Sequence, residues 1–358
     1  MSAARAATKP PLFRAEQLRI TFPGATEPLA AVGGASIEVC SGEVLGLVGE
    51  SGSGKSLTCR STVRLMPPHA EMTASELSFE GMDLLSLRPR QLREHRAHHV
   101  GMVFQDPFSC LDPTMRVGKQ IAETLRANAG LGRDEARCRA VELLGTVDIS
   151  DPERRYLAYP HEFSGGMRQR IAIAIAISCQ PKLLVADEPT TALDVTTQAQ
   201  ILTLLRRLRD QTGMAILLVS HDFGVIAQIC DRVAVMYGGY VVEVGPIANV
   251  YTSPLHPYTR ALLTAIPRID SAGKRARRAG IPGQPPGLGD IVSGCPFMPR
   301  CSMAEPSCAS LDMALEEVTV DHATACPVAL RGRAKAEVGG DAGDSPNRAT
   351  TSGFVAEP

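Results

Sequence analysis

The octapeptide Gly49-Glu50-Ser51-Gly52-Ser53-Gly54-Lys55-Ser56 constrains this chain more than any other feature. It fits G-x-x-x-x-G-K-[ST], the P-loop. The apolar run Val44-Leu45-Gly46-Leu47-Val48 precedes it and a polar-to-apolar segment follows from Lys55. Strand, glycine loop, helix is the order that phosphate binding requires. The glycines let the backbone turn so that successive N–H groups face one anion. The helix start adds partial positive charge. Lys55 then reaches the β and γ phosphates, and Ser56 offers a hydroxyl to Mg²⁺.

The rest of the chain supplies a sheet around that loop. Residues 183–186 and 215–219 are further short apolar runs, each long enough for a buried strand. A helical period fills most of 113–178, with 134–147 amphipathic, and another helix is expected near 197–211. Residues 18–39, 77–79 and 100–104 look like strands, and 233–244 like a hairpin around Gly238-Gly239. Buried strands alternating with helices predict an α/β fold with a mostly parallel sheet. Residues before about 11 are expected to be frayed, and those after about 331, poor in apolar content, to be disordered.

Two further elements suit a phosphate site. Residues 183–188 form an apolar run ending in Asp187 and Glu188. Beside the P-loop strand, such an end aims Asp187 at Mg²⁺ and Glu188 at an attacking water, as general base. Ser164-Gly165-Gly166, just before the apolar helix from Ile171, can also hold anionic oxygen.

Taken in order, these elements resemble an ATP-binding cassette (ABC) transporter ATPase. The likeness covers about residues 12–250: P-loop at 49–56, Q-loop Gln105, signature at 163–167, Walker B at 183–188, D-loop Ala192-Leu193-Asp194 and switch His221. The resemblance implies a RecA-like P-loop NTPase core, an antiparallel β subdomain and an α-helical subdomain at about 106–178. It also implies two cassettes facing head to tail with ATP between one P-loop and the other signature. Gly49, Ser51, Gly52, Ser53, Gly54, Lys55 and Ser56 would then bind ATP, with Phe22 stacking on adenine. Ser164, Gly165, Gly166 and Met167 would serve the partner's nucleotide. Ser56, Gln105 and Asp187 would attend Mg²⁺. Glu188, His221 and Gln105 would be catalytic, and Asp194 would tie the two sites together.

The signature reads F-S-G-G-M where the commonest form is L-S-G-G-Q, so Met167 lacks the usual hydrogen-bonding side chain. The wider strings at 159–170 and 186–196 resemble the oligopeptide/dipeptide importer branch, and within it the D-type ATPase. That resemblance implies a distinct F-type ATPase partner, two membrane permeases and, indirectly, an extracytoplasmic solute-binding protein. The place implied is the cytoplasmic face of the inner membrane, held peripherally. The longest apolar runs, such as 171–177, are far short of the ~20 residues a bilayer crossing needs. Related importers also carry other solutes, nickel among them, so the solute stays open.

After residue 253 the character changes. His256-Pro257-Tyr258-Thr259-Arg260 and the Cys295 and Cys301 region resemble the importers' C-terminal extension, expected at 254–330 as a small irregular unit. Ten cysteines occur in the chain; Cys295, Cys301, Cys308 and Cys326 crowd into this extension, spaced C-x5-C-x6-C-x17-C. Four thiolates in a poorly cored segment suit a metal staple. Zinc and a [4Fe–4S] cluster both accept four cysteines; family resemblance favours the cluster. The run Lys274-Arg275-Ala276-Arg277-Arg278 reads as a solvated linker. The formal charge of −1 argues against a dedicated nucleic-acid binder. A soluble ABC ATPase acting on nucleic acid is the competing class, and it would carry long coiled-coil insertions or a second cassette.

Overall fold

Three continuous apolar strands decide the architecture: β3 (Val44–Val48), β8 (Leu183–Asp187) and β9 (Ala215–Ser220) are buried at every position. Their side chains alternate between two cores. Val44, Val48, Leu184, Ala186, Ile216 and Leu218 enter one core, while Leu45, Leu47, Leu183, Val185, Leu217 and Val219 enter the other. A sheet covered on both faces has no use for polar alternation, which is why these runs read as unbroken apolar stretches.

The computed structural model describes residues 10–25, 27–106, 110–191, 193–265, 280–290 and 294–331. The expectations for the extreme N-terminus, for Ala192, for the basic run 274–278 and for the tail after residue 331 lie outside these residues. The remaining strands are β1 (Phe13–Phe22), β2 (Leu29–Val39), β4 (Glu71–Thr73), β5 (Glu76–Phe79), β6 (Met82–Asp83), β7 (Val100–Val103), β10 (Arg232–Tyr237), β11 (Tyr240–Pro246), β12 (Glu316–Thr319) and β13 (His322–Thr324). The central sheet runs β12-β13-β11-β10-β3-β9-β8-β7. It is parallel from β10 through β3, β9 and β8 to β7. The edge from β10 to β12 is antiparallel. The second sheet, β2-β1-β5-β6 with β4 against β1, is antiparallel throughout.

Helices pack against the central sheet and against one another. They are α1 (Lys55–Ser61), α2 (Pro89–His98), α3 (Val117–Asn128), α4 (Arg133–Thr146), α5 (Pro152–Arg155), α6 (Gly165–Ile177), α7 (Val195–Thr212), α8 (Phe223–Ile229), α9 (Ile247–Thr252) and α10 (Pro257–Ala265). The helices α3, α4 and α6 pack together around Ile121, Leu125, Leu143, Leu144, Ile171 and Ala174. No helix among the described residues is long and apolar enough to cross a membrane.

The irregular C-terminal extension also carries a short hairpin, β12–β13, that continues the cassette's own sheet through Val244↔Ala323 and Glu243↔Thr324. A buried polar contact secures it: His322 Nε2 lies 2.8 Å from Glu243 Oε1, and both side chains are almost wholly enclosed. The same carboxylate accepts the backbone N–H of Leu255 and His256, which turns the chain out of the cassette into α10.

Candidate active site

The P-loop leaves β3, at the centre of the parallel sheet, between β9 and β10. Gly52 and Gly54 hold φ of 81° and 97°, a left-handed backbone that side chains rarely adopt. A Cβ at Gly49 would stand 2.0 Å from the carbonyl oxygen of Met236, so only glycine fits there. Ser51 and Gly52 are exposed and Ser53 is buried.

Lys55 is folded into the loop, 5% exposed. Its Nζ donates to the carbonyls of Gly49 and Glu50, both at 2.8 Å, and lies 3.4 Å from Ser53 Oγ. Burial lowers its pKa, opposed by the charges of Glu188 and Asp187. Ser56 Oγ donates to Asp187 Oδ1 at 2.9 Å, which joins the P-loop helix to the end of β8. Burial raises the pKa of Asp187, opposed by that hydrogen bond. A hydroxyl and a carboxylate, both hard oxygen donors, thus stand together beside a buried cation. That set suits Mg²⁺.

Glu188 follows in a left-handed backbone, φ 48°, its N–H donating to Val219 O at 3.1 Å. Such a backbone costs a side-chain-bearing residue about 1–2 kcal/mol. The turn carries the carboxylate to a point where three side chains meet it. Gln105 Nε2 donates to Glu188 Oε2 at 3.0 Å, Thr191 Oγ1 donates to the same oxygen at 2.9 Å, and His221 Nδ1 lies 3.3 Å from it. The structure therefore brings together all three residues named as catalytic from the sequence. Thr191 was not singled out there; its place three residues after Glu188, in the turn after a strand, is the feature that marks it.

The signature and D-loop residues are arranged differently. Ser164 caps α6 and accepts the N–H of Met167 at 3.3 Å. Gly165 and Gly166 form the first turn, and a Cβ on Gly166 would come within 2.4 Å of Thr197 Cγ2. Met167 is half-buried against the helical core. Asp194 caps α7, accepting the N–H and the hydroxyl of Thr197 at 2.9 and 2.7 Å. These bonds hold its pKa below the ordinary carboxylate range. Among the described residues no hydrogen bond joins these two segments to the P-loop. Phe22 is half-buried at the end of β1, paired with Leu29.

The extension gathers its cysteines. The N–H of Cys295 donates to Cys308 O at 2.8 Å. Burial pushes the Cys295 thiol up to about 11, with Cys308, Cys326 and Cys301 each adding to the rise. Burial also raises Cys301 and Cys326. Among the described residues, however, no group of three or more potential ligands is arranged to hold a metal ion. A single zinc ion would draw four sulfurs to about 3.8 Å of one another, given Zn–S near 2.3 Å. The zinc alternative therefore lacks its geometry, and the expected cluster has its donors in one neighbourhood without a formed ligand set.

Comparison with known proteins gives the family. Residues 32–191 match the family described as ABC transporter, and residues 242–308 match the oligopeptide/dipeptide transporter C-terminal region. The chain is 46% identical over 316 residues to the probable peptide ABC transporter ATP-binding protein y4tR of Sinorhizobium fredii, covering 88% of this chain and 94% of that one. It is 45% identical over 313 residues to the oligopeptide transport ATP-binding protein OppD of Salmonella typhimurium, covering 86% and 92%. Among solved structures, the dimeric bacterial ABC transporter cassette MJ0796 matches with a TM-score of 0.59 at 27% identity, over 66% of this chain and 98% of that one. The same cassette bound to ADP and Pi matches with a TM-score of 0.58. The chain belongs to the ATP-binding proteins of ABC transporters, in the branch that carries the oligopeptide/dipeptide transporter C-terminal region.

Proposed function

We propose that this chain hydrolyses ATP to power import of di- or oligopeptides. The observation that carries the reading is the convergence of Gln105, Thr191 and His221 on one Glu188 oxygen, next to the Ser56–Asp187 pair and Lys55. The peptide substrate is supported by its likeness to y4tR and OppD over most of the chain. The unit that does the chemistry is the cassette, 12–253, with 106–178 as its helical subdomain; 254–330 is the extension.

Lys55 releases its loop carbonyls to meet the β and γ phosphates, and the N–H groups of 51–56 close around them. Ser56 and Asp187, with Gln105, would hold Mg²⁺, which would supply neutralisation of the phosphate charge. Glu188 accepts a proton from the attacking water. Gln105 and Thr191 aim its carboxylate by donating to it, and His221 turns toward the γ-phosphate. Ser164, Gly165, Gly166 and Met167 serve a nucleotide held by a second ATPase, the F-type subunit, and Asp194 lies at that contact. Phe22 stacks on adenine. Two permeases bind the pair at the cytoplasmic face, and a binding protein outside delivers the solute.

The test is Glu188→Gln in the assembled transporter, reconstituted in proteoliposomes. Turnover should fall at least about 100-fold, ATP should stay bound, and peptide uptake should cease. Unchanged turnover would remove Glu188 as the base.

The extension's cysteines are the finer part of the reading: they hold a [4Fe–4S] cluster. Cys295, Cys301 and Cys326, raised chiefly by burial and further by neighbouring cysteines, support it, and a cube of irons spans wider sulfur spacings than one ion does. Anaerobically purified protein should carry iron and sulfide at about four each per chain. A colourless, iron-free preparation would sink it.

A further inference from the structure

Glu50, the second residue of the P-loop, is held on every side. Its carbonyl accepts Lys55 Nζ at 2.8 Å. Its N–H donates to Tyr258 Oη at 2.9 Å. Its carboxylate receives both arms of Arg300: Nη1 to Oε2 at 2.6 Å and Nη2 to Oε1 at 3.2 Å. Tyr258 and Arg300 both belong to the extension, and Arg300 is 250 positions away in sequence.

Arg300 is itself fixed. Nε donates to Pro282 O at 2.8 Å, Nη2 to Ile281 O at 3.1 Å and Nη1 to Tyr237 Oη at 3.0 Å. Its guanidinium lies 5.7 Å from the Tyr237 ring centre, and its side chain is 5% exposed. Phe297 packs edge-on to Tyr237 at 5.2 Å and lies 5.4 Å from Tyr258. A planar fork with all its nitrogens engaged loses little freedom when it grips a carboxylate. This is a built clamp, not a surface ion pair.

From this geometry we infer that Arg300 and Tyr258 are positioning residues for the P-loop, and that the extension sets the cassette's affinity for ATP by clamping Glu50. The inference rests on the P-loop being the ATP site. Without Arg300 the Glu50 carboxylate, on the loop that receives the phosphates, is left without its counter-charge. Without Tyr258 the backbone N–H of Glu50, at the start of the loop, loses its acceptor. Either change leaves the loop less ready for the nucleotide, though neither residue touches it.

The experiment measures Mg-ATP dissociation constants on the full-length chain by displacement of a fluorescent nucleotide. The native chain must bind ATP; if it does not, the site reading itself fails. Arg300→Met should weaken binding about tenfold, the worth of a charge-assisted pair. Arg300→Lys, which keeps the charge but not the fork, should weaken it about threefold. Tyr258→Phe should have a loss of similar size. In a Glu50→Gln background the Arg300→Met loss should shrink to within about twofold, because the partner is gone. A merely structural role for Arg300 would cost the same in both backgrounds, and that outcome overturns the proposal. So does native-like affinity in Arg300→Met. If Arg300→Met does not fold, Arg300→Lys runs the same cycle and decides by the same criterion.

Discussion

The P-loop end and the signature end of this cassette are both helix starts built for anionic oxygen, yet they are finished to different degrees. At the P-loop end, side chains far apart in the sequence are bonded across the fold: Ser56 to Asp187, and Gln105, Thr191 and His221 around Glu188, beside a Lys55 held by its own loop. At the signature end, Ser164 and Asp194 satisfy only their own helices, α6 and α7. The first is a complete half of a site. The second has its polar groups bonded within their own helix starts. On the proposed function, those groups would meet a nucleotide held by another chain.

That contrast can be broken most directly at Ser164. Ser164→Ala removes a helix cap worth about 1 kcal/mol of stability. Hydrolysis by the assembled ATPase pair should fall about tenfold, the worth of a lost hydrogen bond to charged oxygen. Mg-ATP affinity of this chain alone should stay within about twofold. An equal loss of affinity in the isolated chain would mean that the signature acts on its own nucleotide, and the contrast would disappear.

Acid should separate the two ends more gently. Burial raises the pKa of Asp187, whereas Thr197 lowers that of Asp194. As pH falls, Asp187 protonates first and Mg-ATP affinity declines. Asp194's stabilising contribution, present above its unfolded-state pKa, is lost only as pH drops through its depressed native value. Titrating affinity beside the urea midpoint should show two acid limbs, with affinity lost at the higher pH. Asp187→Asn should flatten the upper one. A single limb shared by both measurements would erase the distinction.

How much of this was legible in the sequence follows from where the constraint sits. The strands at 44–48, 183–187 and 215–220 were readable because both sheet faces are buried, which leaves an unbroken apolar run. Lys55, Ser56, Asp187 and Glu188 could be named because phosphate chemistry fixes their type and local order, whereas Gln105, His221, Asp194 and Phe22 were named only through the family resemblance. The hairpin at 316–324 was not: three of the four residues Glu316-Glu317-Val318-Thr319 are polar, and its pairing comes from the neighbouring β11 rather than from an apolar period. The Arg300–Glu50 grip was hidden for another reason. Neither residue belongs to a periodic pattern, and only the folded chain brings positions 250 apart together.

The order of strands in the central sheet has a consequence for the making of the protein. The P-loop strand β3 ends at Val48, and its two neighbours are β9 and β10, the latter ending at Tyr237. A ribosome adding about 5–20 residues per second needs about 10–40 s to supply them. Until β9 is made the loop is tethered to a strand without either flank, and until β10 is made it still lacks one, so ATP has no fully shaped site on the nascent chain. The cassette gains its capacity to bind nucleotide late, after helices α3 to α6 have all been synthesised.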